Sequence, residues 1–155
     1  MQQKCDLYLC DPTRSDRLKF ITLFDKDFLF EPEKTYVGYL GINVDRVKLV
    51  SVVSDLRRNG ISCFSAPVVY RDQENLSHES AAELATEFCK SLGASAVPSK
   101  RKSVCCVPVY WVFDLLYEDV SQEKAGGIVM IDRIDGHIWN HSENEVYMYD
   151  FNNIL

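Results

Sequence analysis

Residues 104–117, Val-Cys-Cys-Val-Pro-Val-Tyr-Trp-Val-Phe-Asp-Leu-Leu-Tyr, make a long, strongly apolar run rich in β-branched and aromatic residues. Such a run reads as a strand, with Pro108 marking a bulge or an edge position. It falls short of the roughly 20 apolar residues that a membrane helix needs, and no other window approaches that length. A strand of this kind needs neighbours and a cover, and the rest of the chain offers both. Residues 4–10 alternate as a short strand that Asp11-Pro12-Thr13 stops. Residues 15–30 fit a helix or a strand turning at Asp25-Lys26-Asp27, the strand being favoured. Residues 36–42 form another strand, weakened by Gly38 and Gly41.

Asn43 is placed to cap a helix running to about Arg58. Its apolar stripe is Val44, Val47, Leu49, Val50, Val53 and Leu56, and Asn59-Gly60 ends it. Residues 61–70 return as a strand interrupted by Pro67. A second helix runs from Ser77 to about Leu92, with Ala81, Leu84, Ala85, Phe88, Cys89 and Leu92 on its buried face and Gly93 as its stop. Residues 94–103 read as a loop carrying Lys100-Arg101-Lys102. Residues 127–132 and 137–140 form a hairpin around Arg133-Ile134-Asp135-Gly136, where Asp-Gly supplies the positive φ of the turn. Residues 145–151 read as a last strand. The expectation is a single α+β domain over 1–155: a mostly antiparallel, curved sheet with two main helices packed on one face.

The chain has 155 residues and a net charge of −6. Its 8 Phe, 8 Tyr and 2 Trp against 7 Gly and 5 Pro exclude a disordered or collagen-like chain. A pI near 5.0 argues against a general nucleic-acid binder. The charge is unevenly distributed. From residue 114 onward nine acids (Asp114, Glu118, Asp119, Glu123, Asp132, Asp135, Glu143, Glu145 and Asp150) face two bases, Lys124 and Arg133, while residues 1–113 carry +1.

The first ten residues hold no apolar stretch long enough for a signal-peptide core, because Asp6 interrupts them. The 6 Cys lie mostly inside apolar runs, where a thiol behaves as a small hydrophobe, so a reduced, cytoplasmic protein is expected. No Cys-x-x-Cys supports thioredoxin-like or zinc-ribbon chemistry. His137-x-x-x-His141 beside Asp132 and Asp135 can be drawn as a metal site, but on a strand that offset separates the rings by about 13 Å. No metal or other cofactor is expected. The loop Asp132–Gly136 lacks the ligand ladder of a calcium-binding loop, and the glycine-rich phosphate-cradling patterns are missing. Cys105 or Cys106 with His137 is the sharpest nucleophile–base pairing, and burial in the apolar run argues against it.

The order of the second half is informative. A helix beginning Ser77-His-Glu-Ser-Ala-Ala-Glu-Leu-Ala precedes the strand Val109-Tyr-Trp-Val-Phe-Asp-Leu. Then come Gly126-Gly-Ile-Val-Met-Ile-Asp-Arg and Asp135-Gly-His-Ile-Trp. This order, over residues 76–140, is similar to small bacterial immunity proteins of polymorphic toxin systems with cystatin-like or nuclear-transport-factor-like folds. It also resembles the helix and hairpin of the PepSY module. Residues 1–70 share no such likeness. The resemblance implies a non-enzymatic protein, monomeric or weakly dimeric, that binds a cognate toxin domain and contacts neither membrane nor nucleic acid directly. Where the toxin is a nuclease with a basic surface, an acidic face complements it. The expected contact residues are Asp114, Glu118, Asp119, Glu123, Asp135, Glu143 and Glu145, with Trp139, Tyr147 and Tyr149 as aromatic anchors. The alternatives are a small cystatin-like enzyme or ligand-binding domain with a pocket between helix and sheet, or a subunit offering a strand edge near residues 145–151.

Overall fold

Cys5, Leu7 and Leu9 alternate along β1 (Lys4–Arg14) and are almost fully buried, which makes this strand the spine of a first sheet. The computed structural model describes residues 3–18, 21, 30–101, 106–117 and 127–154. They divide into two compact units, residues 1–72 with 142–155, and residues 73–141.

In the first unit β1 pairs antiparallel with β2 (Thr35–Tyr39), with β3 (Val44–Asp45), and with β4 (Cys63–Pro67). Its length corrects the expected stop at residues 11–13. The strand passes Pro12 by a register shift between Leu9 and Thr13, then pairs again at Thr13 and Arg14. Between β2 and β3 the chain leaves the ladder at Gly41, whose φ of +95° suits glycine. Helix α1 (Arg46–Arg58) supplies Leu49, Val52, Val53 and Leu56 to the core shared with β1 and Cys63. Val47, expected on that stripe, is 56% exposed. Gly60, at φ +80°, ends the helix as expected. The strand expected over residues 61–70 stops at Pro67, and the chain turns into the short helix α2 (Val69–Asp72).

In the second unit α3 (His78–Lys90) is capped by Ser77, whose hydroxyl accepts from the Ser80 amide. Ala81, Ala85 and Cys89 pack against Phe113, Leu115, Val129 and Ile131 of an antiparallel sheet. That sheet runs β5 (Ala94–Pro98), β6 (Tyr110–Tyr117), β7 (Ile128–Asp132). Leu84 and Leu92, read as buried, are 42% and 46% exposed. β5 falls where a loop was expected: weakly strand-forming residues become a strand because the central β6 offers its free edge from Phe113 to Tyr117. Among its described residues, the apolar run contributes a strand from Tyr110 onward. The strand preference for residues 15–30 falls largely outside the described residues; within them Ser15–Arg17 is a single helical turn.

The last strand is also corrected. His141–Val146 is helix α4, continued by a wider π turn over Tyr147–Phe151. The reason is a long-range contact. Tyr147 Oη donates to the Ser65 carbonyl at 2.6 Å and Asn152 Oδ1 accepts from the Ser65 amide at 2.7 Å. Two side chains therefore cover the outer edge of β4, where a strand would have presented backbone. The α+β class holds, with antiparallel strands in two sheets rather than one. No helix among the described residues is long and apolar enough to cross a membrane.

Candidate protein-binding surfaces

The expected contact residues fall on both units. In the second unit, the turn after β7 gathers a compact polar group. Asp132, 2% exposed, accepts the Ile134 amide (2.8 Å) and the Asp135 amide (3.2 Å) on Oδ1, and Trp139 Nε1–H (2.9 Å) on Oδ2. This is an Asx turn, in which a carboxylate replaces backbone acceptors. The expected hairpin is present in short form: the Asp132 amide donates to the His137 carbonyl, the Trp139 amide to Met130, and Ile131 bridges Ile138. Gly136 has φ +73°, and a Cβ there would lie 2.8 Å from Leu84 Cδ1. We expect Gly136→Ala to destabilise by about 1–2 kcal/mol, from the left-handed backbone rather than from the movable Leu84 side chain. A urea midpoint unchanged from the parent would contradict this.

Asp135 is exposed, accepts the His137 amide at 2.9 Å, and has His137 Nδ1 at 2.5 Å. The bond from that amide, more than the imidazole, holds its carboxyl below the usual range. Trp139 is half-buried, edge-on to Tyr110 and stacked on His137. Burial pushes the Tyr110 phenol up. Arg133 lies 3.8 Å over the Trp111 ring and donates to the Tyr110 and Val107 carbonyls. Ligand atoms of Asp132, Asp135 and His137 come within 4.8 Å of one another. Asp132 is largely committed to its turn and to the indole, so the trio first of all holds Trp139 and His137 in place. His141 belongs to α4. Asp114 lies mid-β6, partly exposed, with Arg101 Nε 3.9 Å away. Glu118, Asp119 and Glu123 lie outside the described residues.

In the first unit, the helical segment from Ser142 onward has two distinct faces. Tyr147, 3% exposed, and Asn152, fully buried, look inward, and Phe151 packs on the core. Glu145, Val146, Tyr149 and Asp150 are exposed, Val146 at 53% and Tyr149 at 56%. Spacings of three and four put these four on one outward ridge. Arg46 braces the segment by donating to the Asp150 carbonyl and lying over the Phe151 ring. Of the expected anchors, Tyr149 is open to solvent, Trp139 half-open, and Tyr147 taken up by the β4 edge. Glu143 is half-buried and Glu145 exposed.

Sequence reasoning passed over Asp6. It is fully buried and accepts from the Leu7, Gly41 and Ile42 amides and from Arg71 Nη1 at 3.1 Å. The available signal was a lone acid between Cys5 and Leu7 in an apolar strand. Comparison with protein-family models, with curated proteins and with solved structures returned no match.

Proposed function

We propose that this chain is an immunity-type inhibitor that acts in the cytoplasm by binding the basic surface of a cognate toxin domain. The observation that carries the reading is the outward ridge of the C-terminal helical segment. An exposed Tyr149 and Val146 stand side by side, flanked by Glu145 and Asp150. Interface hot spots favour an aromatic anchor, here supplied by Tyr149, surrounded by groups that exclude water. The flanking carboxylates add steering toward a positively charged partner. The ridge is also held rigid, through Tyr147, Asn152 and Arg46, so little conformational freedom is lost on docking. Asp114 and Asp135 add negative charge on the second unit, which carries ten acids against six bases by sequence.

The expected partner is a domain of a large secreted toxin encoded directly upstream. Co-expression should relieve its toxicity, and the purified pair should form a one-to-one complex whose association slows with salt. The triple variant Tyr149→Ala, Glu145→Lys, Asp150→Lys should weaken binding by at least about 30-fold, the scale of a single lost hot spot. A triple variant that binds and protects like the parent would overturn the ridge as the contact surface.

A further inference from the structure

The last turn of α1 carries positive charge that the described residues leave largely uncompensated. Arg57, half-buried, donates from Nη1 to the Asn152 carbonyl at 2.7 Å and from Nη2 to the Cys63 carbonyl at 3.2 Å. Arg17 donates to the Asn59 carbonyl at 2.7 Å. Neither guanidinium meets a carboxylate among the described residues; nearby, only Arg58 does, reaching Asp55 at 3.6 Å across an exposed surface. Burial works against the Arg57 cation and lowers its pKa, as expected of a charge without a counter-ion.

Beside these groups is an open cleft of about 330 Å³ lined by Ser54, Arg57, Arg58 and Asn153. The neutral lining is arranged to donate. Asn153 Nδ2 donates to Ser54 Oγ at 3.1 Å, which leaves the serine hydroxyl proton uncommitted among the described residues. Asn153 is fixed by its left-handed φ of 55° and by the hydrogen bond its backbone N–H donates to the Tyr149 carbonyl. Two carbonyls clamp Arg57, and among the described residues its remaining N–H groups have no acceptor, which leaves them for a charge-assisted fork. The α1 carboxyl end opposes an anion with about half a negative charge. The amides of Asn59, Gly60 and Ile61 already occupy the carbonyls of its last turn, and the full charge of Arg57, with Arg58 beside it in an exposed pair with Asp55, outweighs that partial one.

We propose that this cleft binds the phosphoryl group of a small phosphorylated molecule, with Arg57 and Arg58 as the charged donors and Ser54 and Asn153 as the neutral ones. Planar guanidinium forks match phosphate oxygens, and the volume sits at the low end of small-molecule sites. A net charge of −6 disfavours a long polyanion such as nucleic acid.

The test titrates the full chain with inorganic phosphate, pyrophosphate and acetate at constant ionic strength, followed by calorimetry and by amide shifts at Ser54 and Asn153. Saturable binding in the order pyrophosphate, phosphate, acetate is expected. Arg58→Gln, at an exposed side chain, should weaken pyrophosphate about 10-fold for the lost charged contact, with the urea midpoint unchanged. Ser54→Ala should weaken it by a smaller factor. Arg57→Gln removes a clamp of the fold, so the reading rests on Arg58 and Ser54. Equal responses to acetate and pyrophosphate, an Arg58→Gln variant that binds like the parent, or tighter binding of a single-stranded oligonucleotide than of pyrophosphate would each overturn the proposal.

Discussion

Asp6→Asn should lower the unfolding free energy by about 3 kcal/mol, the cost of leaving part of a buried charged network unpaired. The carboxylate stands where the 35–45 segment leaves the ladder. Its Oδ1 accepts the Leu7 and Ile42 amides, Oδ2 accepts Arg71, and both oxygens face the Gly41 amide. An asparagine keeps one acceptor, but its N–H groups would face the Gly41 amide and Arg71 Nη1 in one orientation and the Leu7, Gly41 and Ile42 amides in the other. Arg71, only 21% exposed, would keep Asp72, Asn43 and the Ile42 carbonyl, which limits the loss. Against a typical stability of about 5–15 kcal/mol, 3 is a large fraction, and urea unfolding should resolve it readily.

The same group gives a pH signature. Burial raises the Asp6 pKa, while the Ile42 and Gly41 amides and Arg71 pull it back. Between the unfolded value of about 3.9 and the raised folded value, the native state therefore binds more protons than the unfolded chain. The extra stability of the protonated form is complete below the lower limit and is lost as pH rises through the folded value. Asp6→Asn should abolish that segment of the stability–pH curve. A variant with the parent's midpoint and the parent's slope would refute the assignment.

Asn152→Ala should cost about 2–3 kcal/mol, because it strands the Ser65 amide at a buried strand edge. The carboxamide accepts from that amide and donates to the Tyr147 carbonyl, which ties two elements together in one side chain. Tyr147→Phe, which keeps the ring and removes the bond to the Ser65 carbonyl, should cost about 1 kcal/mol. Amide exchange separates these effects: Ser65 should lose protection in Asn152→Ala more than in Tyr147→Phe. Equal protection of Ser65 in Asn152→Ala and the parent would show that the edge is covered otherwise.

How far the fold could be read from residues depended on the range of the interactions that decide it. Both long helices were legible because their signals are local: an apolar stripe, Ser77 at one start, Asn59-Gly60 at one end. The β7 turn was legible for the same reason, since Asp-Gly announces it. β5 was not, because Ala-Ser-Ala-Val-Pro has little strand preference of its own and takes its conformation from β6. The C-terminal helix was misread because Val146, Met148 and Asp150 alternate with Tyr147, Tyr149 and Phe151 as they would on a strand. Its conformation answers to Ser65, 82 positions away. Glu145 and Tyr149, expected on a strand, are exposed along a helix instead. The Asp6–Arg71 bond spans 65 positions and leaves no periodic trace.

The interrupted course of the first unit, residues 1–72 completed by residues 142–155, sets an order of events at the ribosome. Residues 73–141 are synthesised between the two parts of the first unit. The earlier segment meanwhile waits with the outer edge of β4 bare, an exposed backbone template for pairing with another chain. It stays so until Tyr147 and Asn152 have left the exit tunnel. The nascent chain is therefore most prone to aggregation after its first sheet has formed and before its closing helix has been made, so a stalled or truncated product ending before residue 147 should be a preferred substrate for chaperones.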